Sequence, residues 1–217
     1  MIDLHIHSVF SDGELIPAEI IRRLAVVGCK GLAITDHADP SNLELIVPRV
    51  ARACREVGEH FGVKAVAGIE LTHNPPEMME SLVKKARRVG AAIVVVHGET
   101  VAEPVAEGTN RASIEAGCDI LAHPGLISEE DAALAAEKGV LLEVSGRKGH
   151  CIANGHVVAM AKKVGASLVI NSDAHSPLDF FNPESQKTVG LGAGMSEEEV
   201  NTAIENARKL LEKTKGE

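Results

Sequence analysis

Histidines and carboxylates in this chain recur at one kind of place. His5 and His7 fall at the end of the first short apolar run, Ile2 to Ile6, with Asp12 in the loop beyond it. His37 follows the run Gly31 to Thr35, in Thr35-Asp36-His37. Glu70 sits near the end of Val63 to Leu71, in Gly68-Ile69-Glu70. His97 follows Ala91 to Val96, and His123 follows Asp119 to Ala122. Asp173 and His175 follow Ser167 to Asn171. Imidazole with carboxylate, and no thiolate, is a donor set for zinc, manganese or iron. In His5-x-His7 the two side chains leave the strand on the same side, because the strand period is two. Asp173-x-His175 repeats that spacing. A lone histidine after a strand is usually a polar loop residue, but the recurrence at six strand ends is not explained that way.

The elements that must position these residues alternate along the chain. Pro17 stands where a helix begins, Ile20, Ile21, Leu24 and Val27 share one face, and Gly28 ends it. Ser41 with Glu44 predicts a capping box for a helix carrying Ile46, Val47, Val50, Cys54 and Val57. Further helices are predicted over Glu77 to Arg88, Arg111 to Glu115, after Ser128, and over His156 to Val164. Ser196 with Glu199 caps a last one, with Val200, Ala203, Ile204, Ala207, Leu210 and Leu211 at period 3.6. Val140 to Val144 completes a count of seven strands. Strands this uniformly apolar are buried on both faces, so the sheet is parallel and covered by helices. A doubly wound sheet and a closed barrel both satisfy the pattern, and both build chemistry at the C-terminal strand ends. His60 falls late in a helix and His156 at the start of one, away from that end. His73 and His150 lie in loops on the functional side.

Composition narrows the function classes. With 217 residues and 45% apolar content the chain can bury a real core as a single domain over residues 1–217. Its longest apolar stretches are strand-sized, and its N-terminus carries no secretory signal, so the expectation is a cytoplasmic protein. Four scattered cysteines, Cys29, Cys54, Cys118 and Cys151, form no Cys-x-x-Cys pair and read as free thiols. The net charge of −9, the lack of Trp and Tyr, and only four Phe argue against a polynucleotide-binding surface. A small anion is compatible, because bound metals invert the local charge.

At these residues the sequence resembles the polymerase-and-histidinol-phosphatase (PHP) family. The pieces are His5-x-His7 with Ser11-Asp12-Gly13, Thr35-Asp36-His37, Gly68-x-Glu70, His97, His123-Pro124 and Ser172-Asp173-x-His175, and they span nearly the whole chain. The resemblance implies a distorted, TIM-like barrel of seven strand–helix units. It also implies three divalent metal ions, zinc, manganese or iron. His5, His7, Glu70 and Asp173 would hold the first. Glu70 would bridge to a second, completed by His97 and His123. Asp12, His37 and His175 would hold the third. No ligand position is missing, which opposes a non-enzymatic scaffold. Histidinol phosphatases are generally longer, so the substrate name does not transfer.

From the resemblance follows an expected chemistry: a metal-bridging hydroxide, held among Glu70, His97, His123 and Asp173, attacks phosphorus. Arg147 and Lys148, after the sixth strand, are candidate substrate-binding residues for a phosphate, and Asp36 a candidate partner that orients a ligand. Counting charges in such a site favours a monoester dianion over a diester monoanion. The expected function is therefore a metal-dependent phosphomonoesterase acting on a small phosphorylated metabolite, with nucleic acid not expected as a partner. A phosphodiesterase or exonuclease is the alternative. An amide or lactone hydrolase shares only the opening His-x-His.

Overall fold

The computed structural model describes residues 1–214. Its strands all run parallel: β1 (Ile2–Asp3), β2 (Gly31–Ile34), β3 (His37–Ala38), β4 (Lys64–Leu71), β5 (Ile93–His97), β6 (Ile120–Ala122), β7 (Leu141–Ser145) and β8 (Leu168–Asn171). β2 and β3 pair with successive parts of β4, so they share one position and the order β1-β2-β4-β5-β6-β7-β8 has seven. The closed alternative is the one adopted: a nearly closed, TIM-like barrel. β1 and β8 meet through a single bridge, Ile6 with Ala174, rather than a ladder. Side chains complete this seam. Asn171 Oδ1 accepts from Leu4 N at 3.0 Å, Asp3 Oδ1 accepts from Ser172 N at 3.1 Å, and Gln186 Nε2 donates to the carbonyls of Ile2 and Ile170 at 2.7 and 2.9 Å.

The helices are α1 (Pro17–Val26), α2 (Leu43–Gly58), α3 (Met79–Arg88), α4 (Thr109–Glu115), α5 (Glu129–Lys138), α6 (Asn154–Val164), α7 (Pro183–Gly192) and α8 (Glu197–Lys213). Ser128 and Ser196 cap α5 and α8 as predicted. Ser41 does not cap α2; its hydroxyl and amide both bond Asp39, and Asn42 occupies the cap position. Local Asx-turn geometry has outcompeted the capping box there. Val27 lies just beyond α1 and is exposed. α7 has no counterpart among the predicted helices; its start is marked by Asn182 accepting from Glu184 N and Ser185 N, with Pro183 in the first turn. No helix among the described residues is long and apolar enough to cross a membrane.

Period-two alternation divides the buried strand residues. Ala33, Ile93, Val95, Ile120, Ala122 and Val169 form a cluster with Ile2, Leu4, Ala207 and Leu211, whereas Leu32, Ile34, Val94, Val96, Leu121 and Ile170 join the larger cluster that includes the helices. The first cluster is the barrel interior. Because α8 contributes Ala207 and Leu211 to it, that helix plugs the N-terminal end of the barrel. Continuing the inward alternation toward the other end gives Glu70 after Val66 and Gly68, His97 after Val95, and Asn171 after Val169. The interior therefore changes from apolar to polar along its axis, and the polar end is where the strand-end residues gather.

Gly68 sits at that change. A Cβ there would lie 2.6 Å from Thr35 Cγ2 and 2.9 Å from the Ile93 carbonyl oxygen. Thr35 cannot yield easily, since its Oγ1 accepts from Ile6 N at 3.0 Å. Gly68→Ala should therefore destabilise the barrel by about 1–3 kcal/mol. Thermal unfolding would show this as a Tm lowered by about 2–4 °C per kcal/mol; an unchanged Tm would mean the interior has slack at this level.

Candidate metal centre

Glu70 is fully buried, and imidazole nitrogens surround its carboxylate. His37 Nδ1 lies 2.7 Å from Oε2, His5 Nε2 3.4 Å from Oε1, His7 Nε2 3.6 Å from Oε2, and His123 Nε2 3.6 Å from Oε1. Asp173 takes part through both oxygens: Oδ1 is 3.3 Å from His7 Nε2 and 3.7 Å from His5 Nε2, and Oδ2 is 3.5 Å from His123 Nε2. Beside this group, Asp12 Oδ1 lies 3.2 Å from His175 Nε2, 3.6 Å from His37 Nε2 and 3.9 Å from His7 Nδ1. Metal–ligand bonds of about 2.0–2.1 Å in a tetrahedral site place neighbouring donors about 3.4 Å apart. Most of these separations match that spacing and exceed an ordinary hydrogen bond.

The donors also lack other work. His5 Nε2, both His7 nitrogens, Glu70 Oε1, His123 Nδ1 and Asp173 Oδ2 are buried without a hydrogen-bond partner among the described residues. Orphaned buried polar atoms are costly and few in native structures. Here they concentrate in one place and face one another, so these residues fit divalent cations.

Strain concentrates in the same place. Among the described residues, the non-glycine residues with positive φ are His73 (52°), His123 (28°) and Asp173 (55°). Such backbone is costly for L-residues and persists where its surroundings impose it. At His123 and Asp173 the bend turns the chain off the end of a strand and brings the side chain over the mouth.

Charge within the cluster is strongly interdependent. Burial opposes the charged form of His5, but Glu143, Asp173 and Glu70 outweigh it and raise that imidazole well above its usual range. Burial, aided by His37, pushes His7 the other way. Burial works against ionised Glu70 as well, yet His5 and His37 hold it well below the ordinary carboxylate range. Asp173 is pushed up to about 6 by burial, with Glu70 and Glu143 adding to it against His5 and His123. His97 is driven down to about 4, chiefly by burial, and is a neutral donor near neutral pH.

The sequence-predicted residues fall into place unevenly. His5, His7 and Glu70 converge; Asp173 converges with His5, His123 and Glu143 and also lies 3.3 Å from His7 Nε2; Asp12, His37 and His175 converge with His7. His97 converges instead with His123 and His150 on one side and with His73 and Glu103 on the other. Arg147 lines the 450 Å³ cleft over the cluster, whereas Lys148 is exposed and lies off the cleft lining. Asp36 touches no ligand ring; it accepts from Ser8 N and Oγ and from Ser11 Oγ at 2.7–2.8 Å, and so pins the loop that carries Asp12.

Glu143 was not foreseen. It is fully buried, its Oε2 lies 2.8 Å from His5 Nδ1, and Asn171 Nδ2 donates to the same oxygen at 2.9 Å. A carboxylate on the far nitrogen fixes a ligating imidazole's orientation. The signal in the sequence was a single acid inside the apolar run Val140 to Val144. Glu143→Gln keeps the shape and removes the charge facing His5. It should weaken the tightest bound metal about 10–100-fold, read by competition with a chromophoric chelator. Unchanged affinity would reduce Glu143 to a packing role.

Comparison with known proteins gives this geometry a family. A model of the family described as RNase P subunit p30 matches residues 1–216. An uncharacterized protein of Methanocaldococcus jannaschii is 46% identical over 97% of this chain and 98% of its own. Ribonuclease P protein component 3 of Methanosarcina acetivorans is 27% identical over 98% of this chain and 89% of its own. Among solved structures, a chain in the cryo-EM structure of archaeal ribonuclease P with mature tRNA superposes with a TM-score of 0.74, at 20% identity, over 98% of this chain and 90% of that one. A two-domain protein from Bacteroides vulgatus, containing a predicted PHP-like metal-dependent phosphoesterase, superposes at 0.51 and 19% identity, over 95% of this chain and 62% of that one. The PHP resemblance is thus one of fold, alongside a different family.

Two sequence expectations are corrected by these matches: the phosphomonoesterase acting on a small phosphorylated metabolite, and the exclusion of nucleic acid as a partner. Net charge sums the whole surface and does not report local cations, and RNA can be held by backbone and shape without a base-stacking platform. With its match running through residue 216, the chain belongs to the RNase P subunit p30 family.

Proposed function

We propose that this chain works as a protein subunit of a ribonuclease P-type assembly, in contact with RNA and with other protein subunits, and that its barrel mouth is a divalent-metal centre. The observation that carries the first part is the family match over residues 1–216, together with relatives named as ribonuclease P components that are covered over 89% and 84% of their own length. A second cleft supports it. At the N-terminal end of the barrel, away from the metal centre, Arg87, Lys138, Lys209 and Lys213 line a cavity of 520 Å³. Its acid, Asp119, is engaged by Arg87 at 2.6 Å. Lys138, Lys209 and Lys213 have no carboxylate partner within 4.0 Å among the described residues, and so offer a phosphodiester backbone a local positive field within a chain of net charge −9.

The donor geometry supports the second part. His5, His7, Glu70 and Asp173 would hold one cation, His97 and His123 another next to Glu70, and Asp12, His37 and His175 a third; zinc, manganese and iron all suit this set. When bound, such cations act as Lewis acids toward phosphate oxygens. Arg147 would orient a phosphate at the cleft wall, its Nη1 lying 3.5 Å from the Asp173 carbonyl.

The reading is tested by isolating the tagged chain from its native cells and sequencing the RNA that accompanies it. Ribonuclease P RNA or tRNA precursors should be enriched at least about tenfold over an untagged control, and the simultaneous change of Lys138, Lys209 and Lys213 to alanine should reduce that enrichment under raised salt. RNA at the level of the control would contradict the proposal.

A further inference from the structure

Two donors outside the strand-end pattern face the same cleft. Glu103 lies in the irregular segment between β5 and α4, and His150 opens the short turn His150–Ala153 ahead of α6. Glu103 Oε1 lies 3.0 Å from His97 Nε2 and 3.4 Å from His150 Nε2, while its Oε2 lies 3.5 Å from His73 Nε2. Both inner rings are fixed through their other nitrogen. His97 Nδ1 is 3.1 Å from the Gly98 carbonyl oxygen, and His150 Nδ1 is 2.7 Å from Thr100 Oγ1. This leaves the two Nε2 atoms directed at one carboxylate, the arrangement by which an outer hydrogen bond orients a metal-binding imidazole. His150 further stacks on His123 with ring centres 4.1 Å apart, and its donor atom converges with those of His97 and His123.

We propose that His150 and Glu103 are protein ligands of the cation held at His97 and His123. The proposal rests on the metal-binding reading of the barrel mouth. Beside the shared Glu70, it gives that position His97, His123, His150 and Glu103, enough protein donors to close a tetrahedral site rather than leave it open. The two added donors differ. The His150 side chain is 10% exposed and held by Thr100, whereas that of Glu103 is 38% exposed, on a segment without regular structure. Glu103 would therefore be the more easily displaced of the two donors. His73, 46% exposed, meets the outer oxygen of Glu103 and has its ring centre 4.8 Å from that of His97, at the edge of the set.

The test uses the whole chain, stripped by a chelator and titrated with zinc or cobalt(II) alone, with no RNA present. Glu103→Gln and His150→Gln are compared with wild type and with His60→Gln, an exposed histidine away from the cleft. Each of the two cleft variants should weaken one class of bound metal at least about tenfold, leave the other classes unchanged, and alter the visible absorption of cobalt in the affected class. His60→Gln should match wild type. Wild-type affinities and spectra in both cleft variants would overturn the proposal while leaving the metal centre standing. Failure of the wild type to bind metal would overturn both. Should His150→Gln lose the native circular dichroism spectrum, Glu103→Gln alone decides, since its partly exposed side chain keeps the same shape.

Discussion

A fully buried carboxylate must be paired, and at Glu70 that requirement organises the mouth of the barrel. Four imidazoles from three different segments, those of His5 and His7, His37, and His123, lie within 3.6 Å of its oxygens. At an effective dielectric near 20, a unit charge pair about 4 Å apart is worth about 4 kcal/mol. Burial pushes His7 toward the neutral form while Glu143, Asp173 and Glu70 raise His5 toward the charged one, and several atoms of the group keep no hydrogen-bond partner among the described residues. Divalent cations would resolve this conflict, neutralising Glu70 and Asp173 and using imidazole lone pairs that otherwise face one another.

The fold supplies this constraint with a frame. α8 plugs the N-terminal end of the barrel through Ala207 and Leu211, so the interior is apolar there and polar only at the other end. The β1–β8 seam is held largely by side chains, Asn171, Asp3 and Gln186, rather than by a ladder. His5, His7 and Asp173 flank that seam. The weakest part of the sheet is thus where the donors from the two ends of the chain meet, and metal binding there would also tie those ends together.

Much of this was legible in the sequence, because strand-end donors repeat with the strand–helix period and survive small errors in element boundaries. Each of the nine expected ligands is brought to the barrel mouth. What was not legible depends on pairing across the barrel. Glu143 reads as an odd acid in an apolar strand until His5 is seen opposite it. Glu103 and His150 lie on irregular segments whose approach to His97 no periodicity encodes. Asp36 sits next to the expected ligand His37 in sequence but serves the Ser8–Ser11 loop. Function was the least legible. The total charge of −9 concealed a cleft lined by Arg87, Lys138, Lys209 and Lys213, formed only when the N-terminal strand ends and α8 come together.

The central claim is that a p30-family chain carries a metal centre at its barrel mouth. Elemental analysis of the purified protein, saturated with zinc or manganese and freed of loosely held ions, tests it most directly. The account predicts close to three ions per chain, with Glu70→Ala losing more than one because its carboxylate lies between the groups. One ion or none at full loading, or a Glu70→Ala variant that keeps them all, would contradict it.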